Sequence, residues 1–238
     1  MQIYYDQEYS QELTEKLRYK FLEGAQDRKV VHLSDTTKCP LKCWNRLVGI
    51  TPSEEDDRGI GMMMIGIVGQ EIFQALYPPE WTEYEPTSDM PAHIDIFVQN
   101  PEKMFPVEIK WSRKNVNRSK DIGPSWIMQT TGYMALTNQN EGKLVVFNVI
   151  YAKINCFRFV MTDDELVLRR FQIDETKANI LKAVEEKNPN LLEPWENECK
   201  YCDFKPSRKR KRAGLSEGCP RVDGKKATGK LDQYLSDT

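Results

Sequence analysis

A short alternating segment at residues 104–111 constrains the fold more than any other part of the sequence. Here Ile109 and Trp111 alternate with Glu108 and Lys110, which is the period of a β-strand, where successive side chains point to opposite faces. A carboxylate and an ammonium group on a core strand are costly to bury unless they pair or bind a metal ion. For an isolated Glu-x-Lys, a surface ion pair on an edge strand remains the simpler interpretation.

The preceding segment predicts a partner for this strand. The run Ile94–Val98 alternates in the same way, and the turn-forming sequence Gln-Asn-Pro-Glu-Lys follows it, so the two runs predict a β-hairpin. We expect Val98 to lie opposite Phe105, which places Asp95 opposite Glu108, with the loop leaving the register open by a residue or two. The hairpin then brings two carboxylates and a lysine together.

These side chains suit a divalent cation. Carboxylate oxygens, with coordination positions left open for water and phosphate, are typical ligands of Mg²⁺ or Mn²⁺. A neighbouring Lys110 can orient or deprotonate an attacking water, or stabilise negative charge that develops on a phosphoryl group. The hairpin therefore predicts a metal-dependent phosphoryl-transfer site.

Two sequence motifs match this chemistry. Asp95, followed by Glu108-Ile109-Lys110, resembles the core of PD-(D/E)XK nucleases, and Gln129 with Tyr133 resembles the QxxxY motif of the RecB-like branch. With four cysteines described below, the chain is similar over about residues 30–220 to CRISPR-associated RecB-like iron–sulphur exonucleases, the Cas-four family. The two QxxxY side chains lie four residues apart and share one helix face, where the resemblance implies that they position the lysine or the DNA.

The resemblance implies a metal-dependent DNA nuclease, either an exonuclease or a flap or single-strand endonuclease. Asp95, Glu108 and the carbonyl of Ile109 would bind Mg²⁺ or Mn²⁺, and Lys110 would orient the water that attacks the phosphodiester. The substrate would be DNA, single-stranded or flapped.

Gln70 is the main departure from the family pattern. It lies in an apolar helix predicted over residues 61–76, at the position where the family usually has a metal-binding histidine. A glutamine carbonyl oxygen is a weaker ligand for a hard cation and cannot act as an acid or base. Glu71 points about 100° away around the helix and cannot replace it. Gln70 is therefore a candidate fourth metal ligand of reduced strength.

Composition and cysteine usage indicate a cytoplasmic protein. The chain has 238 residues, of which 39% are hydrophobic and 29% charged, and no apolar run approaches the roughly 18 residues of a membrane span. The amino terminus lacks the layout of a signal peptide. In a reducing compartment, six cysteines do not predict a disulphide framework.

Four of the cysteines predict a metal-thiolate site: Cys39, Cys199, Cys202 and Cys219. Thiolates select Zn²⁺ or an iron–sulphur cluster, and spacing does not separate the two; the resemblance implies [4Fe–4S], occasionally [2Fe–2S]. Because sixteen residues separate Cys202 from Cys219, Cys43 is a rival fourth ligand. The cluster would join the N- and C-terminal segments, and Cys156 is expected to be an unrelated buried thiol.

Net charge is −2, but basic residues are grouped. One group follows the hairpin and a second lies between the last cysteines, and we expect both to contact DNA phosphates: Arg113, Lys114, Arg118 and Lys120, then Arg208, Lys209 and Arg210. A solvated loop or, for the second group, a localisation tag is the alternative interpretation.

The last residues are polar apart from a short apolar set. Leu231, Tyr234 and Leu235 have the spacing of a one-turn helical anchor and resemble the peptide that binds a PCNA-type sliding clamp. An incidental tail is the alternative. A clamp peptide would connect the protein to replication or repair in an archaeal-type system rather than to CRISPR spacer acquisition.

The order of predicted elements is helix, hairpin, helix, two strands and a long helix. This order predicts an α/β fold, the RecB-like PD-(D/E)XK core, with a mixed sheet flanked by helices. We expect an N-terminal helical segment at 1–29, a nuclease domain at 30–220 and a flexible tail at 221–238. A non-catalytic DNA- and clamp-binding module and a zinc-stabilised interaction protein are the competing hypotheses.

Three local signals refine this prediction. Thr162-Asp-Asp-Glu165 is a capping box that opens a helix running toward Lys187. Ser125 is expected to cap the helix that carries the QxxxY pair, and the acidic segment at 53–58 is expected to be a solvated loop.

Overall fold

The structure is a computed structural model that describes residues 15, 16, 19, 29–50, 57–86, 89–195, 202 and 204. A five-stranded mixed sheet with helices packed against it forms the described part of the chain. This arrangement confirms the predicted α/β class with a mixed sheet flanked by helices, and it adds a short strand before the hairpin that the sequence did not predict. Of the predicted N-terminal helix, the described residues Glu15, Lys16 and Tyr19 are helical; the remainder lies outside the described residues.

The strands follow one another in the sheet in chain order. They are β1 (Thr82–Tyr84), β2 (Ile94–Asn100), β3 (Lys103–Ser112), β4 (Glu141–Asn148) and β5 (Lys153–Val160). Every neighbouring pair is antiparallel except β3 and β4, which are parallel. A parallel pair requires a long crossover, and a helix supplies it here.

The helices lie between and after the strands. They are α1 (Leu33–Thr36), α2 (Pro40–Leu47), α3 (Asp57–Gln74), α4 (Pro124–Thr137) and α5 (Asp163–Glu185). None of the helices in these described ranges is long and apolar enough to cross a membrane.

The β2–β3 hairpin has the register that the alternating pattern predicts. Val98 pairs with Phe105 and Ile96 with Val107. The turn after Asn100 is held by its Oδ1 atom, which accepts the backbone N–H of Glu102 at 3.0 Å. The predicted register is therefore confirmed, and it places Asp95 alongside Glu108 immediately beyond the last pair of the ladder.

Helix α4 is the crossover and covers the sheet face that bears Glu108. In the parallel register Glu108 lies beside Leu144 of β4, and Leu144 packs with Trp126 and Ile127 of α4. Because β3 and β4 are parallel, α4 must cross the sheet between them, and it therefore places its side chains over Glu108.

Helix α3 packs on the opposite face of β3. Phe73 of α3 joins the core formed by Ile96, Ile109 and Trp111. The approach is closest at Gly69, where an added Cβ atom would come within 1.6 Å of the Trp111 ring. The alternation of β3 thus divides its side chains as expected, with the apolar set buried under α3 and the charged pair under α4.

Contacts between the two ends of the described chain complete the core. The indole Nε1 of Trp44 on α2 donates to the carbonyl of Ala183 on α5 at 3.0 Å. The backbone N–H of Trp195 donates to the sulphur of Cys39 at 3.5 Å. The segment that follows α5 therefore returns to the start of α2.

The amino-terminal ends of α4 and α5 show which of the predicted N-caps form. Thr162 Oγ1 accepts the N–H of Glu165 at 3.3 Å, and Glu165 Oε2 accepts the N–H of Thr162 at 2.7 Å, which confirms the capping box. The predicted Ser125 cap is wrong: Gly123 is the N-cap, and Pro124 takes the first helical position, where its missing N–H costs nothing.

Two further expectations are corrected. Cys156 is exposed, because β5 is an edge strand whose side chains alternate between half-buried and exposed and Cys156 lies on the outer side. Residues 57 and 58 belong to α3 rather than to a solvated loop.

Candidate active site

Asp95 and Glu108 meet where the β2–β3 ladder ends. The last pair is Ile96 with Val107, and beyond it the N–H of Ile109 is bound by the Asp95 carboxylate, whose Oδ2 accepts it at 2.6 Å. The Asp95 carboxylate thus accepts the kind of hydrogen bond that a backbone carbonyl accepts elsewhere in the ladder. This hydrogen bond fixes one carboxylate oxygen beside Glu108.

Glu108 is buried, with 1% of its surface exposed. Its Oε1 atom accepts a hydrogen bond from the ammonium group of Lys110. Its Oε2 atom is also buried and has no hydrogen-bond partner in the described part of the chain. A buried carboxylate oxygen without a donor is unfavourable, since it has lost its water and gained nothing in exchange.

Burial and the proximity of the two acids disfavour their charged forms. Burial, followed by the charge of Glu108, raises the pKa of Asp95 well above its ordinary value. Burial also raises the pKa of Glu108. For Lys110, burial favours the neutral amine, but the charges of Glu108 and Asp95 outweigh it and raise the pKa. The two neighbouring carboxylates therefore favour the charged ammonium form of Lys110.

Two residues that the sequence analysis did not select, Glu83 and Gln74, extend the site. Glu83 lies between the β1–β2 pairs, which places it alongside Asp95. The side-chain amide of Gln70 donates to Glu83 Oε1 at 2.7 Å and to Asp95 Oδ1 at 2.9 Å. Gln74, one turn further on α3, donates to Glu83 Oε1 at 2.6 Å and to the Asp95 carbonyl at 3.0 Å. Carboxylates on three adjacent strands thus form one row.

The spacing of Gln70 and Gln74 would have revealed that they share a helix face. Glu83 gave no such signal, because β1 has three residues and no alternating pattern. Glu83 also has a φ of 48°, a left-handed conformation that is uncommon for a residue other than glycine.

The QxxxY pair connects α4 to the start of β2. Gln129 Nε2 donates to the Tyr133 hydroxyl at 2.9 Å, and that hydroxyl donates to the carbonyl of His93 at 2.7 Å. The pair therefore lies on one helix face, as predicted. The same hydroxyl lies close enough to Glu108 to act as a hydrogen-bonding group that lowers the pKa of that carboxyl, although the hydrogen bond that it donates in this structure goes to His93.

The His93 ring makes its contacts with Glu85 and His32. Its Nδ1 atom lies 3.2 Å from Glu85, and the ring stacks on His32 at 5.9 Å between centroids.

The donor set fits a hard divalent cation at Asp95 and Glu108. Within the described residues, no group of three or more His, Cys, Asp or Glu side chains is arranged to hold a metal ion, so the candidate set is two carboxylates supplemented by backbone and amide oxygens. The partnerless Oε2 of Glu108 is the feature that a cation would satisfy.

Two of the predicted cluster cysteines and their rival are described. Cys39, the N-cap residue of α2, and Cys43, within α2, are buried, and Cys202 is half-buried. Arg46 donates to the Cys43 sulphur at 3.3 Å, while burial, followed by the charge of Asp35, raises the pKa of the Cys43 thiol to about 12. Cys199 and Cys219 lie outside the described residues.

The first basic group lies on the loop after β3. Arg113, Lys114 and Lys120 are exposed, and Arg118 pairs with Asp121 at 3.2 Å. The remaining predicted contact residues lie outside the described part of the chain: Arg208, Lys209, Arg210, Leu231, Tyr234 and Leu235.

Comparison with known proteins relates the fold to solved structures. The chain is similar to the crystal structure of SSO0001, with a TM-score of 0.55, 18% identity, and coverage of 82% of this chain and 93% of that one. It also matches the crystal structure of LHK-Exo in complex with dAMP, with a TM-score of 0.44, 15% identity, and coverage of 68% and 92%. The first similarity supports a shared fold; the second is too low to support an argument. No protein-family model and no curated protein matches the chain.

Proposed function

We propose that the protein is a metal-dependent DNA nuclease of the RecB-like PD-(D/E)XK type. The observation that carries the proposal is the group of buried Glu108 with half-buried Asp95 and Lys110, in which Glu108 Oε2 has no partner among the described residues. A structural ion pair would not need a second acid beside it. Two acids and a cation at the end of a strand ladder are suited to hydrolysis of a phosphodiester.

Asp95, Glu108 and the Ile109 carbonyl would bind Mg²⁺ or Mn²⁺. Gln70, whose amide nitrogen faces Asp95 and Glu83 in this structure, would be a further oxygen donor with its side-chain amide turned over. When bound, such an ion supplies Lewis-acid activation of the phosphoryl group and of water. The Ile109 N–H holds one Asp95 oxygen in place. Lys110 is fixed against Glu108, and its ammonium group would orient the attacking water and stabilise charge on the phosphate oxygens. Gln129 and Tyr133 would hold the start of β2, and with it Asp95, in position.

The loop after β3 would hold the DNA backbone near this site. Ser112 Oγ exchanges hydrogen bonds with the backbone of Lys114, each at 3.0 Å, and Asn148 Nδ2 donates to the Lys114 carbonyl at 2.7 Å. The backbone is therefore anchored while the Arg113 and Lys114 side chains are exposed. Anchored, exposed cations are suited to phosphate contacts.

An iron–sulphur cluster bound by Cys39, Cys199, Cys202 and Cys219 is part of the proposal. Its support is that Cys39 is buried and is contacted by Trp195, so the segment that leads to Cys199 and Cys202 begins beside it. Cys43 remains the rival ligand. Iron, sulphide and zinc analysis of anaerobically purified protein separates a cluster from a zinc site, and zinc in place of iron would refute the cluster.

The remaining elements of the proposal come from the resemblance to the Cas-four family. They are the single-stranded or flapped substrate and the recruitment by a PCNA-type clamp through Leu231, Tyr234 and Leu235. Clamp pull-down with the full chain and with a Tyr234→Ala, Leu235→Ala variant tests the second.

The nuclease assignment is tested by cleavage of 5′- and 3′-labelled single-stranded, flapped and duplex DNA with Mn²⁺ or Mg²⁺. Asp95→Asn, Glu108→Gln and Lys110→Met should each reduce the cleavage rate by roughly 10²-fold or more. Glu102→Gln, an exposed acid in the turn of the same hairpin, is the matched control and should retain wild-type activity. Metal-independent cleavage, or full activity in any of the three variants, would refute the assignment.

A further inference from the structure

Helices α4 and α5 line a cavity that is separate from the acids of β2 and β3. Its volume is about 770 Å³, in the size range of small-molecule sites. Its apolar wall comes from both helices, the end of β5 and the segment after α5: Ile127, Met128, Phe159, Leu168, Leu192 and Trp195.

Arg169 of α5 is the one cation among the described residues that line this cavity. It is 7% exposed. Its Nη2 atom donates to the Met128 carbonyl at 2.8 Å and its Nη1 atom to Gln172 Oε1 at 3.3 Å. Its Nε atom is buried without a partner, and no carboxylate pairs with the guanidinium within the described part of the chain.

A buried guanidinium without an anion is costly. Burial lowers the pKa of Arg169 to about 10, which still leaves it charged at neutral pH. Uncompensated buried charge is among the least favourable arrangements in a protein interior. The two neutral acceptors, Met128 and Gln172, satisfy part of the guanidinium but do not neutralise it.

The other polar groups of the cavity restrict the anion that would fit. Thr131 and Thr176 use their hydroxyl protons on carbonyls of their own helices, each at 2.8 Å. Glu165, Glu175 and Glu193 also line the cavity and are exposed, and their charge opposes a polyanion such as a polyphosphate. A single carboxylate matches the planar guanidinium, and the apolar wall requires an apolar body.

We propose that this cavity binds a small monocarboxylate with an apolar body, whose carboxylate pairs with Arg169. The site is independent of the nuclease assignment, because it shares no residue with the proposed metal site. It therefore stands or fails separately from the proposed function.

Hexanoate and 1-hexanol are the probes, used with the full chain in calorimetry and thermal unfolding. Hexanoate should bind and raise the Tm with increasing concentration, and hexanol should bind at least about tenfold more weakly, equivalent to about 1.4 kcal/mol. Arg169→Met should lose the difference between the two probes. Arg158→Met removes an exposed arginine on β5 that pairs with Glu141 and should retain hexanoate binding.

A second variant keeps the proposal testable if Arg169→Met does not fold. Asn179 is exposed and lines the cavity, so Asn179→Trp should occupy part of it and weaken hexanoate binding while Arg169 stays in place. Equal binding of hexanol, unchanged binding in Arg169→Met or Asn179→Trp, or binding of inorganic phosphate in place of hexanoate would overturn the proposal. Failure of the wild-type chain to bind hexanoate would overturn the proposal as well.

Discussion

The side-chain amide of Gln70 donates a hydrogen bond of 2.9 Å to Oδ1 of Asp95. Because the Asp95 Oδ2 atom is bound by the Ile109 N–H, both oxygens of this carboxylate are held by donors from different elements. Gln70 therefore holds the Asp95 carboxylate in place, at the position where the resemblance to the Cas-four family would predict a metal-binding histidine.

Replacing Gln70 by histidine should strengthen metal binding. An imidazole nitrogen is a better ligand for Mn²⁺ than a glutamine amide, so Gln70→His should lower the Mn²⁺ concentration that gives half-maximal cleavage by roughly tenfold. The measurement is a Mn²⁺ titration of the cleavage rate.

Gln74→His is the matched control for this titration. It places an imidazole one turn further along α3, where the native amide contacts the Asp95 carbonyl rather than its carboxylate. An equal gain in both variants, or none in Gln70→His, would contradict a ligand role at position 70.

A glycine is required at position 69 because a side chain there would overlap the Trp111 ring. An added Cβ atom would come within 1.6 Å of Cζ2 of that ring, so Gly69→Ala should lower the free energy of unfolding by about 1–3 kcal/mol. Gly66 is in the same helix and has open space around its Cα atom; Gly66→Ala should raise it by about 0.5–1 kcal/mol. Chemical denaturation of both variants measures the difference, and equal effects would argue against the contact.

Helix α5 ends in a left-handed residue that is not glycine. Lys187 has a φ of 49°, its N–H bonds to the Val184 carbonyl, and the N–H of Asn188 bonds to the Ala183 carbonyl, which is the Schellman pattern. Lys187→Gly should therefore raise the free energy of unfolding by about 1 kcal/mol. Lys182→Gly, inside the same helix, should lower it by about as much. A loss of stability in Lys187→Gly would contradict the left-handed conformation of Lys187 at the end of α5.

Cys156 should be the first of the described thiols to react in the folded protein. It is exposed on β5, whereas Cys39 and Cys43 are buried. Burial raises the pKa of Cys156, and the thiolate is the reactive form, so its alkylation by iodoacetamide should accelerate with rising pH and should need a higher pH than that of a thiol in a short peptide. Peptide mass spectrometry over time measures this. Modification of Cys43 before Cys156 would contradict the structure.

The part of the site that the sequence predicted is the part with local periodicity. Alternation along β2 and β3, with the short turn after Asn100, determined the pairing of Val98 with Phe105 and with it the approach of Asp95 and Glu108. The helical spacing of Gln129 and Tyr133 placed both on one face in the same way.

The parts that were missed depend on contacts between distant segments. Glu83 joins the site because β1 pairs with β2, and a strand of three residues carries no pattern. In the sequence, Arg169 is one of many charged residues on a long helix. Its burial follows only from the packing of α4, whose Met128 carbonyl it contacts. Ser125 failed as a cap because the preceding proline already defines the first helical position.

The contact between Trp195 and Cys39 joins residues 156 positions apart, whereas Asp95 and Ile109 are separated by 14. During synthesis the acidic hairpin is therefore complete long before the ribosome delivers the segment that closes the fold. The carboxylates of Asp95 and Glu108 are therefore solvated in the nascent chain, and they are desolvated only when the later helices pack over the hairpin.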